Sequence, residues 1–130
     1  MDHFQAVIPN QFSLPRRIRR LGELAYNLWW TWNPDAQRLF IRIDRDLWER
    51  VDHNPILFLR QIPRASLNAI IQDRYYLEFY DRIFKAFDEY MAAKDTWCAR
   101  IHPEYNNRPI AYFSTEFGLH ETLPIYAGGL

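Results

Sequence analysis

Cysteine is almost absent. With Cys98 alone, the chain can close no internal disulfide and build no thiolate metal cage, and a reducing cytoplasm suits it. Net charge is absent as well, sixteen Lys and Arg being matched by sixteen Asp and Glu. That balance speaks against a nucleic acid or an anionic membrane as the main partner. No apolar run reaches the about 18–20 residues of a membrane-spanning helix. The start, Met1-Asp2-His3-Phe4-Gln5, lacks the basic and then apolar stretches of a secretory signal. The four histidines, His3, His53, His102 and His120, include no pair at the spacing of a local metal site, so no metal centre is expected.

Aromatic residues are abundant: five Trp, eight Tyr and nine Phe make up 17% of 130 residues. That length can bury a real core, and aromatics both fill cores and build stacking platforms. From about Pro15 the apolar residues Ile18, Leu21, Leu24, Ala25, Leu28, Trp29 and Trp32 recur at steps of three and four, which predicts one helix with a single buried stripe. On that helix Trp29 and Trp32 are core residues. Trp30 points nearly opposite, one turn after Tyr26. A Tyr26–Trp30 pair flanked by charges is an oligosaccharide platform, a face that docks on another domain, or a second core face.

Asn33-Pro34 predicts a helix start with Asn33 as cap, and the pattern runs to about residue 43. Asp44 or Asp46 caps a short piece with Leu47, Trp48 and Val51. The turn Asp52-His53-Asn54-Pro55 opens a helix over about 55–61, and Pro63 and Ser66 introduce another. The longest helix spans about 73–97, with Tyr76, Tyr80, Ile83, Phe84, Phe87 and Met91 as its apolar stripe. The basic run Arg16, Arg17, Arg19 and Arg20 opposes the helix macrodipole, so it calls for carboxylates or, less simply, a bound anion. Residues 102–109 read as a polar, proline-bounded linker.

After the linker, residues 110–114 predict a buried strand, followed by a polar turn and by Pro124-Ile125-Tyr126-Ala127-Gly128-Gly129-Leu130. A strand leading to a glycine pair opens many phosphate- or sugar-binding units, because glycines let backbone N–H groups approach an anion. Such a unit needs a following helix and sister strands, so the chain is expected to be the front of a larger protein. Glu116 follows the strand, where a carboxylate faces a pocket mouth or caps a turn. His120 lies between strand and glycine turn, where α/β proteins place their chemistry.

The run Tyr112-Phe113-Ser114-Thr115-Glu116-Phe117-Gly118-Leu119-His120-Glu121, followed by Leu123 to Leu130, resembles the N-terminal signature of bacterial and archaeal α-glucan phosphorylases. The stretch Leu24 to Ala36, with Tyr26-Asn27-Leu28-Trp29-Trp30-Thr31-Trp32-Asn33-Pro34-Asp35, is similar to the helical domain that precedes the catalytic core in that group. So are Leu47-Trp48-Glu49-Arg50 and Asp52-His53-Asn54-Pro55. The resemblance covers about residues 14–130. It implies a retaining, pyridoxal-phosphate-dependent glycosyltransferase of the cytoplasm. Such enzymes cleave the terminal α-1,4 link of a glucan with orthophosphate and release glucose 1-phosphate.

By position, the resemblance makes Gly128, Gly129 and Leu130 the loop that wraps the phosphates, and Glu116 and His120 residues of the glucosyl pocket. The fold class it implies is mainly α: a helical N-terminal domain over 1–108, then the first strand and glycine loop of a truncated catalytic α/β domain over 109–130. The partners implied are α-1,4-glucan, orthophosphate and the remainder of the catalytic domain. The cofactor lysine is expected elsewhere in the larger protein, since Lys85 and Lys94 fall on the long predicted helix, and this stretch alone is expected to be inactive. The competing expectation is a stand-alone helical module that binds glucan or a protein through Tyr26 and Trp30.

Overall fold

Five prolines mark where the chain changes direction. Pro34, Pro55 and Pro103 occupy first helical positions, and Pro15 and Pro63 stand just before a helix. Each tolerates that place because the ring presets a helical φ and the missing N–H would have had no intrahelical partner. The computed structural model describes residues 12–106, 108, 110–114, 116 and 118–120. Seven α-helices lie within them: α1 (Leu21–Ala25), α2 (Pro34–Ile41), α3 (Arg45–Arg50), α4 (Pro55–Gln61), α5 (Arg64–Ile70), α6 (Arg74–Ala92) and α7 (Trp97–Ile101). Short 3-10 turns cover Arg16–Ile18, Leu28–Trp32 and Pro103–Tyr105.

Polar side chains close the helix starts. Asn33 Oδ1 accepts from the Asp35 and Ala36 amides at 3.1 and 3.2 Å, and Asn54 Oδ1 from Ile56 and Leu57 at 3.0 and 3.1 Å. Asp44 caps α3 through the Leu47 amide, Asp73 caps α6 through Tyr76, and Thr96 caps α7 through Ala99. Each bond satisfies a donor that the helix itself leaves unpaired. Between α3 and α4 the backbone passes through the left-handed region at Asp52 (φ 51°) and His53 (φ 59°), a conformation for which Asp and His are enriched among non-glycine residues.

The long helix α6 is the spine. Tyr76, Phe79, Tyr80, Ile83, Phe84 and Phe87 recur every three or four residues along its buried face, so one stripe meets the rest of the core. Against that core stand Ile18, Leu21 and Leu24, then Leu39 and Phe40 of α2, Trp48 of α3, Phe58 of α4 and Leu67 of α5. Helix α2 packs on α6 and α3, and α4 packs on α1 and α3. The Tyr76 hydroxyl is buried and donates to the Leu39 carbonyl at 3.2 Å. Burial pushes its pKa well above the ordinary phenol range, so it stays a neutral donor. The Tyr80 hydroxyl is pushed up to about 12, again chiefly by burial.

Two arginines tie the start of the described chain to α6. Arg17 reaches Asp81 at 2.6 Å, and Arg20 reaches Asp88 at 2.5 Å and Glu23 at 2.7 Å. The Arg20 guanidinium also lies 4.5 Å from the centre of the Phe84 ring. The basic run is therefore a salt-bridged face in which Arg17 and Arg20 already have carboxylate partners. The groove they line with Asp81, Lys85, Asp88 and Glu89 carries both signs of charge. Hydrogen bonding from Arg20 holds the Asp88 carboxyl below the usual carboxylate range.

Three sequence expectations change. The helix expected from Pro15 to Trp32 is three pieces, because Asn27 turns extended (φ −109°, ψ 120°) and its side chain accepts from the Trp29 amide at 2.9 Å. The restart shifts the helical phase. Trp30 becomes a core residue at 2% exposure, while Trp32, assigned to the core by a continuous helix, is 70% exposed. The long helix ends at Ala92 rather than near Trp97, and α7 follows as a separate element. The strand expected at 110–114 is not formed, and Ile110, Tyr112 and Phe113 are exposed. A strand satisfies its backbone groups only against a neighbour, and the described residues offer no second strand. The glycine loop lies outside the described residues.

Replacing Asn27 by Ala should cost about 1 kcal/mol through the lost cap, and Trp48→Ala about 3–5 kcal/mol through the cavity it leaves, both read from urea unfolding. Asp88 titrates lower in the folded chain than in the unfolded one. Its contribution to stability is thus present above about pH 4 and lost as pH falls through the folded value. Asp88→Asn should flatten the stability profile in that acid range, and an unchanged slope would show that the Arg20–Asp88 pair carries no linkage.

Candidate functional site

The turn Leu28–Trp32 is the local device that positions the candidate residues. Asn27 caps its start, and the Thr31 hydroxyl donates to the Leu28 carbonyl at 2.7 Å. Gln37 Nε2 donates to the Thr31 carbonyl at 3.3 Å and the Trp30 carbonyl at 3.5 Å. The backbone around three tryptophans is thus held from both sides, and each indole has a fixed direction.

Trp30 points inward. It meets Trp48 edge to face at 6.2 Å and 80°, and Trp48 in turn stacks on Phe40 at 5.1 Å and on His53 at 5.5 Å. His53 Nε2 is held by Glu49 at 2.9 Å. On this aromatic cluster rests His120, half-buried, with its ring 4.5 Å from that of Trp30 at an interplanar angle of 64°. Such edge contacts favour one ring orientation. The Trp30 indole N–H is buried and has no hydrogen-bond partner among the described residues, an arrangement that ordinarily costs about 1–3 kcal/mol.

The remaining sequence candidates divide. Glu116 is exposed, and its backbone amide donates to the Ser114 hydroxyl at 3.1 Å. Tyr26 is 40% exposed and its ring lies 6.1 Å from Phe12. Tyr26 and Trp30 therefore do not form an open aromatic platform, because an indole packed into the core has no face to offer a sugar. Gly128, Gly129 and Leu130 lie outside the described residues. Among the described residues no cluster of His, Cys, Asp or Glu could hold a metal ion, and no helix is long and apolar enough to cross a membrane.

Sequence reasoning missed one feature. On the outer side of the same turn, Asn27, Leu28, Trp29, Trp32 and Asn33 line a cleft of about 480 Å³ with Tyr90 of α6. The Trp29 and Tyr90 rings are 6.2 Å apart at 45°, and Trp29 also packs on Phe87 at 5.3 Å. The signal was present in Asn27, which prefers to accept a backbone N–H rather than continue a helix. Reading it as a cap moves Trp30 inward and Trp32 outward.

The family model described as protein of unknown function, DUF3417, matches residues 14–123. The chain is 34% identical over 118 residues to maltodextrin phosphorylase of Thermococcus litoralis, covering 91% of this chain and 14% of that protein. It is 41% identical over 113 residues to glycogen phosphorylase of Aquifex aeolicus, covering 85% and 15%. It is 35% identical over 122 residues to glycogen phosphorylase of Mycobacterium tuberculosis, covering 90% and 14%. The chain thus spans only 14–15% of the length of these relatives. No solved structure matches it.

Trp30→Ala should destabilise the chain by about 3–5 kcal/mol, as a large core truncation, whereas His120→Ala shortens a half-buried ring at the edge of the cluster and should cost less. Urea unfolding of both variants checks this. Equal losses would make His120 a structural residue rather than a group seated for another task.

Proposed function

The chain belongs to the DUF3417 family, and from that premise we propose that it is the N-terminal helical region of an α-glucan phosphorylase. The observation that carries this reading is the match of 85–91% of the chain to proteins named maltodextrin or glycogen phosphorylase, at 34–41% identity. In this reading the whole protein is a cytoplasmic, pyridoxal-phosphate-dependent glycosyltransferase. Its substrates are α-1,4-glucan and orthophosphate, and it transfers the terminal glucosyl unit to phosphate. The helical array packs against the remainder of the catalytic domain, of which residues 109–130 are the first strand and glycine loop. A strand over 110–114 would find its neighbours there, which accounts for its absence when the described residues stand alone.

Glu116 and His120 line the glucosyl pocket in this proposal. A carboxylate and an imidazole suit sugar hydroxyls, since one accepts hydrogen bonds and the other does either. Trp30 seats the His120 ring from the helical side. Backbone N–H groups of Gly128, Gly129 and Leu130 wrap the phosphates, where no Cβ obstructs the approach. Bound in the whole enzyme, the cofactor would supply a phosphate group that exchanges protons with the substrate phosphate. The described residues do not fit a seat for it. Lys85 lines the mixed-charge groove along α6 and Lys94 lies in the turn beyond α6, so neither belongs to the cluster around Trp30 and His120.

The whole protein should release glucose 1-phosphate from maltooligosaccharides in a phosphate-dependent reaction, and the 130-residue chain should release none. In the whole protein His120→Ala and Glu116→Ala should each lower turnover by about 100-fold or more, the scale of losing a preorganised polar contact to the reacting sugar. A whole protein with no phosphate-dependent cleavage overturns the reading.

A further inference from the structure

The cleft on the outer side of the Leu28–Trp32 turn opens onto a wider apolar patch. Trp32 of the turn, with Tyr90 and Met91 in the last turn of α6, each expose more than half of their surface, and Leu28 and the half-buried Trp29 fill the space between them. Met91 belongs to the same surface, because the Asn27 side-chain amide donates to its Sδ at 3.6 Å. We propose that this patch is the seat on which the body of the same polypeptide docks, through a segment that is apolar, uncharged and offers a backbone carbonyl. The proposal rests on the phosphorylase reading, which supplies a body large enough to dock. It adds which face of the helical array makes the joint.

Three observations carry it. The first is the chemistry of the patch. Single exposed apolar residues are ordinary, but Trp, Tyr, Met and Leu gathered on one face have the composition of a contact core. Among the described residues no Asp, Glu, Lys, Arg or His lines the cleft, so a charged segment would lose its hydration there and gain no partner. Asn33 Oδ1 is taken by the amides of Asp35 and Ala36. Its NH2 group, with no partner among the described residues, is left to donate to a carbonyl of the docked segment.

The second observation is that the seat is preformed. The Asn27 cap, the Thr31 hydroxyl and the Gln37 amide hold the turn, and Trp29 is wedged on Phe87 and Tyr90. Docking on a rigid seat loses little conformational entropy. The third is the path of the chain. Beyond Met91 it leaves the core: no residue from Ala93 to Asn106 is fully buried, and α7 packs on the Pro103–Tyr105 turn. It comes back at His120, whose ring rests on Trp30 of the same Leu28–Trp32 turn. Exit and return thus lie at one turn, and polypeptide that continues past His120 starts beside it. The relatives are far longer than this chain, which spans 14–15% of them. A contact made within one polypeptide at so short a tether needs little intrinsic affinity to stay closed.

Hydroxyl-radical footprinting of the whole protein and of the 130-residue chain reads the patch directly. Trp32, Tyr90 and Met91 should oxidise as exposed residues in the chain and roughly tenfold more slowly in the whole protein, as for a joint closed about nine-tenths of the time. Trp32→Ala should leave the urea midpoint of the chain unchanged, since its ring stands in solvent, and should restore fast oxidation of Tyr90 and Met91 in the whole protein. Equal oxidation in the two proteins, or protection indifferent to Trp32→Ala, overturns the joint. So does protection that appears only as protein concentration rises, which assigns the patch to a second copy, and protection that appears only when maltoheptaose is added, which assigns it to a ligand. Protection in a whole protein that performs no phosphate-dependent glucan cleavage keeps the joint and removes the phosphorylase reading. Phosphorolysis by a whole protein whose patch oxidises as fast as in the chain does the reverse.

Discussion

The hydrogen bond from the Trp29 amide to the Asn27 side chain governs more of this molecule than any other local contact. It stands two residues past the end of α1 at Ala25 and restarts the chain as a 3-10 turn with a new phase. Of the three tryptophans that follow within the turn, one enters the core, one wedges against α6 and one stands in solvent. An α-helix running through this point would place Trp30 outside and bury Trp32. The aromatic seat under His120 and the cleft on the opposite side of the turn both follow from that change of phase.

The rest of the domain gives the turn something firm to rest on. Helix α6 offers a mostly aromatic buried face, with Ile83 at its middle, and the shorter helices before it each bury a few side chains against it or against one another. None of those shorter helices has the length to be stable alone in water, so their order comes from packing on α6 or on one another. The arginine clamps to Asp81 and Asp88 lie at the exposed edge of this assembly. They orient the start of the described residues more than they stabilise it, since exposed ion pairs contribute little.

Much of this organisation is visible in the residues. Asn33-Pro34 and Asn54-Pro55 place two helix starts without any knowledge of packing, because cap and proline act on their own first turn. Most of the apolar stripe of α6 is equally plain, since the period over nineteen residues places Tyr76, Tyr80, Ile83, Phe84 and Phe87 on the buried face; Met91, read as its last member, is exposed beyond the edge of the core, and Phe79 is buried in addition. Where the residues mislead, the competing signals are close in strength. Tyr26-Asn27-Leu28 continues a helical apolar pattern, and one asparagine cap outweighs it. Residues 110–114 have the composition of a strand, but strand formation is decided by a partner and not by composition.

Helix positions, the spine of the core and the kinship with phosphorylases lie in the linear order of residues, because each depends on local chemistry or on motifs of contiguous residues. Which tryptophan faces the core, which carboxylates take the arginines, and that His120 comes to rest against Trp30 emerge only when the helices pack. Those outcomes join residues far apart in the chain, such as Arg20 with Asp88 and Trp30 with His120. No propensity or period encodes such a pairing, because its free energy exists only once the rest of the fold has brought the two side chains together.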